Sequence, residues 1–159
     1  MRRRSLLLVA SLSLAAGVFV APVASVRVQA AGATYYVSPA GSDASACAFA
    51  SPCRQIRRAL TLVNAGDTIV VANGSYLGFD VDDLHGAPGA PITIKAQGTG
   101  ALVTATTDRP DNRDTIFITF SDWIVIDGLR ASNANRAAVR IDESHHVTCL
   151  LYTSPSPRD

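Results

Sequence analysis

The chain has 159 residues, 14 Lys and Arg against 13 Asp and Glu, a net charge of +1 and 48% hydrophobic residues. Near-neutral charge with no basic run past the first residues excludes a nucleic acid or an acidic surface as the expected partner. The length suits one small domain and is short for an enzyme that needs a long substrate groove.

Met1-Arg2-Arg3-Arg4 supplies a positive start, and residues 5–21 form a nearly uncharged run rich in Leu, Val and Ala. This is the pattern of a secretory leader. A bilayer span needs about 20 clearly apolar residues. The run here is shorter and broken by serines, so no membrane span is expected once it is removed. Cleavage is expected between Ala30 and Ala31, after Val28-Gln29-Ala30, with cleavage after Ala24 as the alternative. The arginines also permit a twin-arginine route, although the rest of that motif is poorly matched. A secreted or cell-surface location follows. The chain then divides into the leader (1–30), an N-terminal strand and helix (31–66), repeated strands (67–148) and a tail (149–159).

Three cysteines are present, Cys47, Cys53 and Cys149. In an exported protein Cys47 and Cys53 can close a small disulfide loop; two unpaired thiols are the alternative. Next, residues 54–64 place Ile56, Ala59, Leu60 and Val63 on one side at helical spacing, with Arg54, Arg57 and Arg58 elsewhere. Ser51-Pro52 is a start signal and Gly66 a stop signal for that helix.

From Thr68 onward the pattern changes to short alternating strands. Ile69 and Val71 are followed at intervals of 23, 24 and 23 residues by Ile92 and Ile94, Ile116 and Ile118, and Val139 and Ile141. Ser121-Asp122-Trp123-Ile124 falls opposite Ser144-His145-His146-Val147 at the last of these shifts. Alternation with period two and β-branched residues mean strands. Asp127-Gly128, Asn73-Gly74, residues 86–89 and residues 132–135 are turn-forming joints between them. A unit of this size cannot bury its inner face alone, so successive units must stack into a solenoid. The open end of a solenoid needs a cover, and the helix at 54–64 is assigned as its N-terminal cap.

The tail, Cys149-Leu150-Leu151-Tyr152-Thr153-Ser154-Pro155-Ser156-Pro157-Arg158-Asp159, breaks this pattern and resembles one reading frame of a sequencing-library adapter. On that reading the natural sequence stops near Thr148; a genuine disordered tail is the alternative.

Thr34-Tyr35-Tyr36-Val37-Ser38-Pro39-Ala40-Gly41-Ser42-Asp43, then Ser51-Pro52-Cys53, the helix, and Ala65-Gly66-Asp67-Thr68-Ile69-Val70-Val71-Ala72-Asn73-Gly74-Ser75-Tyr76 resemble the opening of right-handed parallel β-helix proteins. Pectate-lyase-like and chondroitinase B-like polysaccharide lyases belong to that group. Pro91-Ile92-Thr93-Ile94-Lys95-Ala96 and Trp123-Ile124-Val125-Ile126-Asp127-Gly128-Leu129 resemble its first coils. The resemblance implies an all-β fold, a right-handed parallel β-helix with a short N-terminal capping α-helix and about four partial coils. It also implies a polysaccharide partner and a monomer for the full-length protein. Ca2+ is allowed there as a cofactor, with none assigned to this stretch. In such lyases a cation or a basic side chain neutralises the uronate while Lys or Arg removes the C5 proton, because the developing enolate charge must be compensated. None of those catalytic or substrate-binding residues has a counterpart identifiable here.

Local candidates each have a plain structural reading beside the chemical one. Asp80, Asp82 and Asp83 offer carboxylates to a hard cation, but alternation with Phe79 and Val81 equally describes a strand edge and turn. His145 and His146 are adjacent on a strand, so they cannot converge on one ion and are read as a turn pair. Asp108, Asp111, Arg113 and Asp114 form a charged stretch, read as an exposed loop ahead of a sugar-binding one. Asn73-Gly74-Ser75 is both a glycosylation sequon and a turn. Trp123 can stack on a sugar or fill an ordinary coil position. The leading functional expectation is a secreted protein acting on an acidic polysaccharide, with lyase chemistry ahead of hydrolysis. The alternative is a non-catalytic surface or adhesion β-helix. Expressed alone, the chain is expected to be inactive and aggregation-prone.

Overall fold

The computed structural model describes residues 32–104 and 114–151. The expected cleavage between Ala30 and Ala31, Asp108, Asp111 and Arg113, and the tail from residue 152 lie outside the described residues. In chain order the elements are β1 (Thr34–Val37), α1 (Ile56–Leu60), β2 (Thr68–Val71), β3 (Gly74–Leu77), β4 (Phe79–Asp82), β5 (Ile92–Ala96), β6 (Ala101–Thr104), β7 (Asp114–Thr119), β8 (Asp122–Asp127), β9 (Arg130–Ser132), β10 (Ala137–Asp142) and β11 (His145–Leu150).

Every ladder between these strands is parallel, and the strands fall into three sheets. Sheet 1 is β1-β2-β5-β8-β11, sheet 2 is β3-β6-β9 and sheet 3 is β4-β7-β10. From β2 onward each strand pairs with the strand three places along the chain, so each circuit visits all three sheets once. That is a parallel β-helix: three circuits and the first strand of a fourth. The core is the column of side chains inside it. Ile69, Ile94 and Ile126 stack in sheet 1, Phe79 and Ile116 in sheet 3, and Tyr76 and Val103 in sheet 2, all buried. Aliphatic and aromatic residues on a pleated inner face pack at this spacing, and burying each such side chain contributes about 1.5–3 kcal/mol.

The register corrects the expected repeat. Ile69 lies beside Ile94 rather than Ile92, and Ile92 lies beside Ile124. Ile116 and Ile118 belong to sheet 3, where they stack on Phe79 and Val81 on one side and Val139 and Ile141 on the other. An inward apolar pair occurs once per strand and three strands make a circuit, so counting one pair per circuit mixes sheets. The shift of 23 residues is a true coil only at the end, where Ile116 meets Val139 and Ile124 meets Val147. The expected break at Cys149 is also absent. β11 runs to Leu150, with Cys149 beside Ile126 and partly buried against the core. Burial pushes the Cys149 thiol up from its ordinary value.

The cap forms as expected, over a shorter span. Ile56, Ala59 and Leu60 of α1 are buried, but the helix has five residues rather than eleven. Ser51-Pro52 does not start it. Ser51 bridges Ala48, Cys53 bridges Val37, and the Cys47–Cys53 disulfide holds both ends of that loop. The segment leading into the helix is held by Asp43, whose Oδ1 accepts the backbone N–H groups of Arg54 and Gln55, each at 2.9 Å. After Leu60 the chain tightens, with Leu62 N–H donating to the Ala59 carbonyl at 3.0 Å. Gly66, at φ 89°, turns the chain into Asp67 rather than ending the helix. The buried Asp67 carboxylate then accepts the N–H of Ala33 at 2.6 Å and of Asn64 at 2.8 Å, tying β1 and the cap to the first coil.

Two further devices join the coils. Asp83, Phe120 and Glu143 have left-handed backbone, at φ 54°, 46° and 43°, and occupy equivalent places just after β4, β7 and β10. The next residue repeats as well. Ser121 Oγ donates to the Thr119 carbonyl at 2.7 Å and accepts the Leu84 N–H at 3.1 Å. Ser144 Oγ donates to the Asp142 carbonyl at 2.7 Å and accepts the Ser121 N–H at 3.1 Å. This corner is a serine ladder that satisfies backbone groups where strands stop.

Asp114, the described member of the expected charged loop, is not part of a loop. It opens β7 with its side chain 1% exposed, and its Oδ1 accepts Nε of Arg136 at 2.9 Å and the Ala137 N–H at 3.1 Å. The Arg136 hydrogen bond holds the Asp114 carboxyl below the usual carboxylate range, against the opposing effect of burial. A carboxyl depressed in the folded state adds stability above its unfolded pKa and loses it as pH falls through the folded value. Stability should therefore decline below about pH 4, and Asp114→Asn should flatten that decline. The check is the urea midpoint measured against pH; an unchanged acid limb would show that the pair contributes nothing.

Candidate functional site

The outward face of sheet 1 carries an open concavity. Because inward and outward residues alternate, Thr93 and Lys95 project from β5, Trp123, Val125 and Asp127 from β8, and His146, Thr148 and Leu150 from β11. Lys95 and Asp127 are register partners on neighbouring strands and both are exposed. An open groove of about 420 Å³ runs along this face, lined by Gly89, Pro91, Trp123, Val125, His146 and Thr148.

Trp123 and His146 shape the groove. Both have left-handed backbone, φ 55° and 53°, and their rings stack 4.0 Å apart at an interplanar angle of 4°. Non-glycine residues at positive φ carry strain, which persists where the surroundings over-determine it. Here the ring stack and the ladder hydrogen bonds around it do so. Of the two readings of Trp123, the coil position is the one occupied: one face of the indole is covered by His146. Gly86 packs against the Trp123 backbone, where an added Cβ would stand 2.9 Å from the Trp123 Cβ. His146 therefore acts as a stacking partner, while His145 takes the register position beside Asp122; both lie at the start of β11 rather than in a turn.

The acidic cluster separates too. Asp80 and Asp82 alternate with the buried Phe79 and Val81 on β4, and Asp83 turns the corner. Asp83 meets a partner that sequence reasoning missed. His85 Nε2 lies 3.2 Å from Asp83 Oδ1 and His85 Nδ1 lies 3.2 Å from Asp122 Oδ2, linking two coils. His85, Asp122 and His145 occupy the same register position on successive coils. The sequence separation of 37 from His85 to Asp122 hid that relation. Among the described residues, no group of three or more His, Cys, Asp or Glu side chains is arranged to hold a metal ion. Also missed was Arg140, whose guanidinium lies 5.2 Å over the Phe117 ring on sheet 3 and pairs with Asp142.

Asn73 is occupied as a coil staple. Its Oδ1 accepts the Gly100 N–H at 3.0 Å, and the Gly74 N–H donates to the Gly100 carbonyl at 2.9 Å. A Cβ on Gly98 would stand 3.0 Å from that Asn73 oxygen. No helix among the described residues is long and apolar enough to cross a membrane.

No protein-family model matches the chain, and no curated protein matches it. Solved structures do. A rhamnogalacturonan lyase aligns with TM-score 0.55 and 20% identity over 62% of this chain and 28% of its own. A pectate lyase aligns with TM-score 0.53 and 22% identity over 72% of this chain and 32% of its own. A lacto-N-biosidase from Eubacterium ramulus aligns with TM-score 0.53 and 15% identity over 79% of this chain and 31% of its own. This chain thus spans about a third of the length of each. The likeness is one of fold: an all-β parallel solenoid shared with polysaccharide lyases and with a glycosidase.

Proposed function

We propose that this chain is the N-terminal part of an exported protein that cleaves an acidic polysaccharide by β-elimination. The observation that carries the reading is the groove on the outer face of sheet 1, on a β-helix similar in fold to a rhamnogalacturonan lyase and a pectate lyase. An extended sugar chain suits a flat, repeating face of parallel strands, on which one residue pattern recurs at each coil. The leader at residues 1–30 supports export. β-Elimination from a uronate needs a base at C5 and positive charge at the carboxylate. Those groups, and any Ca2+ that assists them, are assigned to coils outside this chain, which spans about a third of the neighbours' length.

A second reading is a non-catalytic β-helix that presents a binding face, with which the stacked corners at Ser121 and Ser144 are consistent. The two readings separate in one assay. The full-length protein, encoded by the complete reading frame, is incubated with pectate, rhamnogalacturonan and alginate, and unsaturated products are followed by ultraviolet absorbance. Release of unsaturated ends is expected. Binding with neither an absorbance change nor release of reducing ends would overturn the lyase reading in favour of the non-catalytic one.

A further inference from the structure

A second concavity, of about 240 Å³, lies where the cap meets the first coil, away from the groove on sheet 1 and sharing no residue with it. Gln55, Arg57, Arg58 and Thr61 line it from the cap; Leu77 and Gly78 line it from the end of β3 and the turn that follows. Its electrostatics are unbalanced. Arg58 Nη1 donates to Thr61 Oγ1 at 3.1 Å, but Arg58 Nε is shut off from solvent and has no hydrogen-bond partner. Asp43 stands at the rim, and its Oδ1 is taken by two backbone N–H groups rather than by an arginine. Arg57 is exposed beside it.

A guanidinium N–H closed off from water without an acceptor is unfavourable, and two guanidinium groups in one cleft repel each other. An anion with two oxygens in a plane relieves that repulsion, because it can accept from the guanidinium nitrogens that remain open to the cleft. Leu77 is 39% exposed and adds an apolar wall of the kind that a C–H face of a pyranose covers. A cleft of this volume takes one sugar ring. We infer that the cleft between α1 and the end of β3 is a binding site for the carboxylate of a single uronate residue, held by Arg57 and Arg58 with the ring against Leu77. The inference rests on the polysaccharide reading above and adds a second contact point at the capped end of the helix.

The test is a titration of the full-length protein, encoded by the complete reading frame, followed through its backbone amide resonances, with sodium D-galacturonate, D-galactose and sodium acetate as probes. Galacturonate is expected to shift Gln55, Arg57, Arg58 and Leu77 saturably, galactose to leave them unmoved, and acetate to need at least tenfold more for the same shift. Arg58→Gln and, separately, Arg57→Gln should each weaken galacturonate at least tenfold. Arg57 is exposed, so its substitution tests the site even if Arg58→Gln disturbs the cap. Equal saturation by acetate, or wild-type affinity in Arg57→Gln, overturns the assignment. Shifts confined to Gly89, Val125 and Thr148 overturn this site while leaving the groove reading intact. Cap shifts combined with no cleavage of uronate polymers remove the lyase reading and leave this site standing.

Discussion

Replacing Phe79 with alanine should destabilise the fold by about 3–5 kcal/mol, as expected for truncating a fully buried aromatic side chain. Phe79 is among the largest fully buried side chains, stacks on Ile116 across sheet 3 and stands at the first coil above the cap. A solenoid has no second core to take up the loss, since each coil touches only its neighbours. A domain of this size is stable by only about 5–15 kcal/mol, so the substitution consumes a large part of the margin. The measurement is the urea midpoint by circular dichroism, at unchanged slope. A loss under about 1 kcal/mol would mean that the first coil collapses around the gap.

Asp67→Ala should cost about 2 kcal/mol, because two N–H groups lose a charged acceptor and one side of the site remains open to water. Its effect should be local as well as global. The Asp67 carboxylate is the link that ties Ala33, just ahead of β1, and Asn64, just after the cap, to β2. Amide exchange at Thr34, Tyr35, Tyr36 and Val37 should accelerate well beyond that of Ile124 and Ile126 in β8. Uniform acceleration across all sheets would show that β1 and the later coils unfold as one unit.

The fold was legible because alternation and turn chemistry are local properties. Ile92 and Ile94, or Ile116 and Ile118, announce a strand buried on one face without any knowledge of what lies beside them. The disulfide was legible for the same reason, since Cys47 and Cys53 are six residues apart. Register was not legible. Ile69 meets Ile94 only because the loop between β4 and β5 has one length and not another, and the apolar pairs of sheets 1 and 3 look alike in the sequence. Asp43 as the anchor ahead of the helix was hidden for a related reason: the acceptor comes from the loop ahead of the disulfide and not from the residue next to the helix. The site was the least legible part. The contact of His85 with Asp122, the Trp123–His146 stack and the cleft shared by Arg58 and Leu77 all depend on which coil lies against which.

The left-handed corner at Asp83, Phe120 and Glu143 has a consequence for how such a chain changes over evolutionary time. From Asp83 to Phe120 the chain travels a long circuit, and from Phe120 to Glu143 a short one, yet the corners superimpose. The strands ahead of the corners keep register although the circuits differ in length, so a segment gained or lost between two corners leaves them aligned. Loops that acquire new contacts can then be tried at one coil without rewriting the others. Glycine, which takes that backbone freely, would hold the bend equally well at all three corners. With an acid or an aromatic there instead, each bend also sets a different side chain at the same edge of the solenoid.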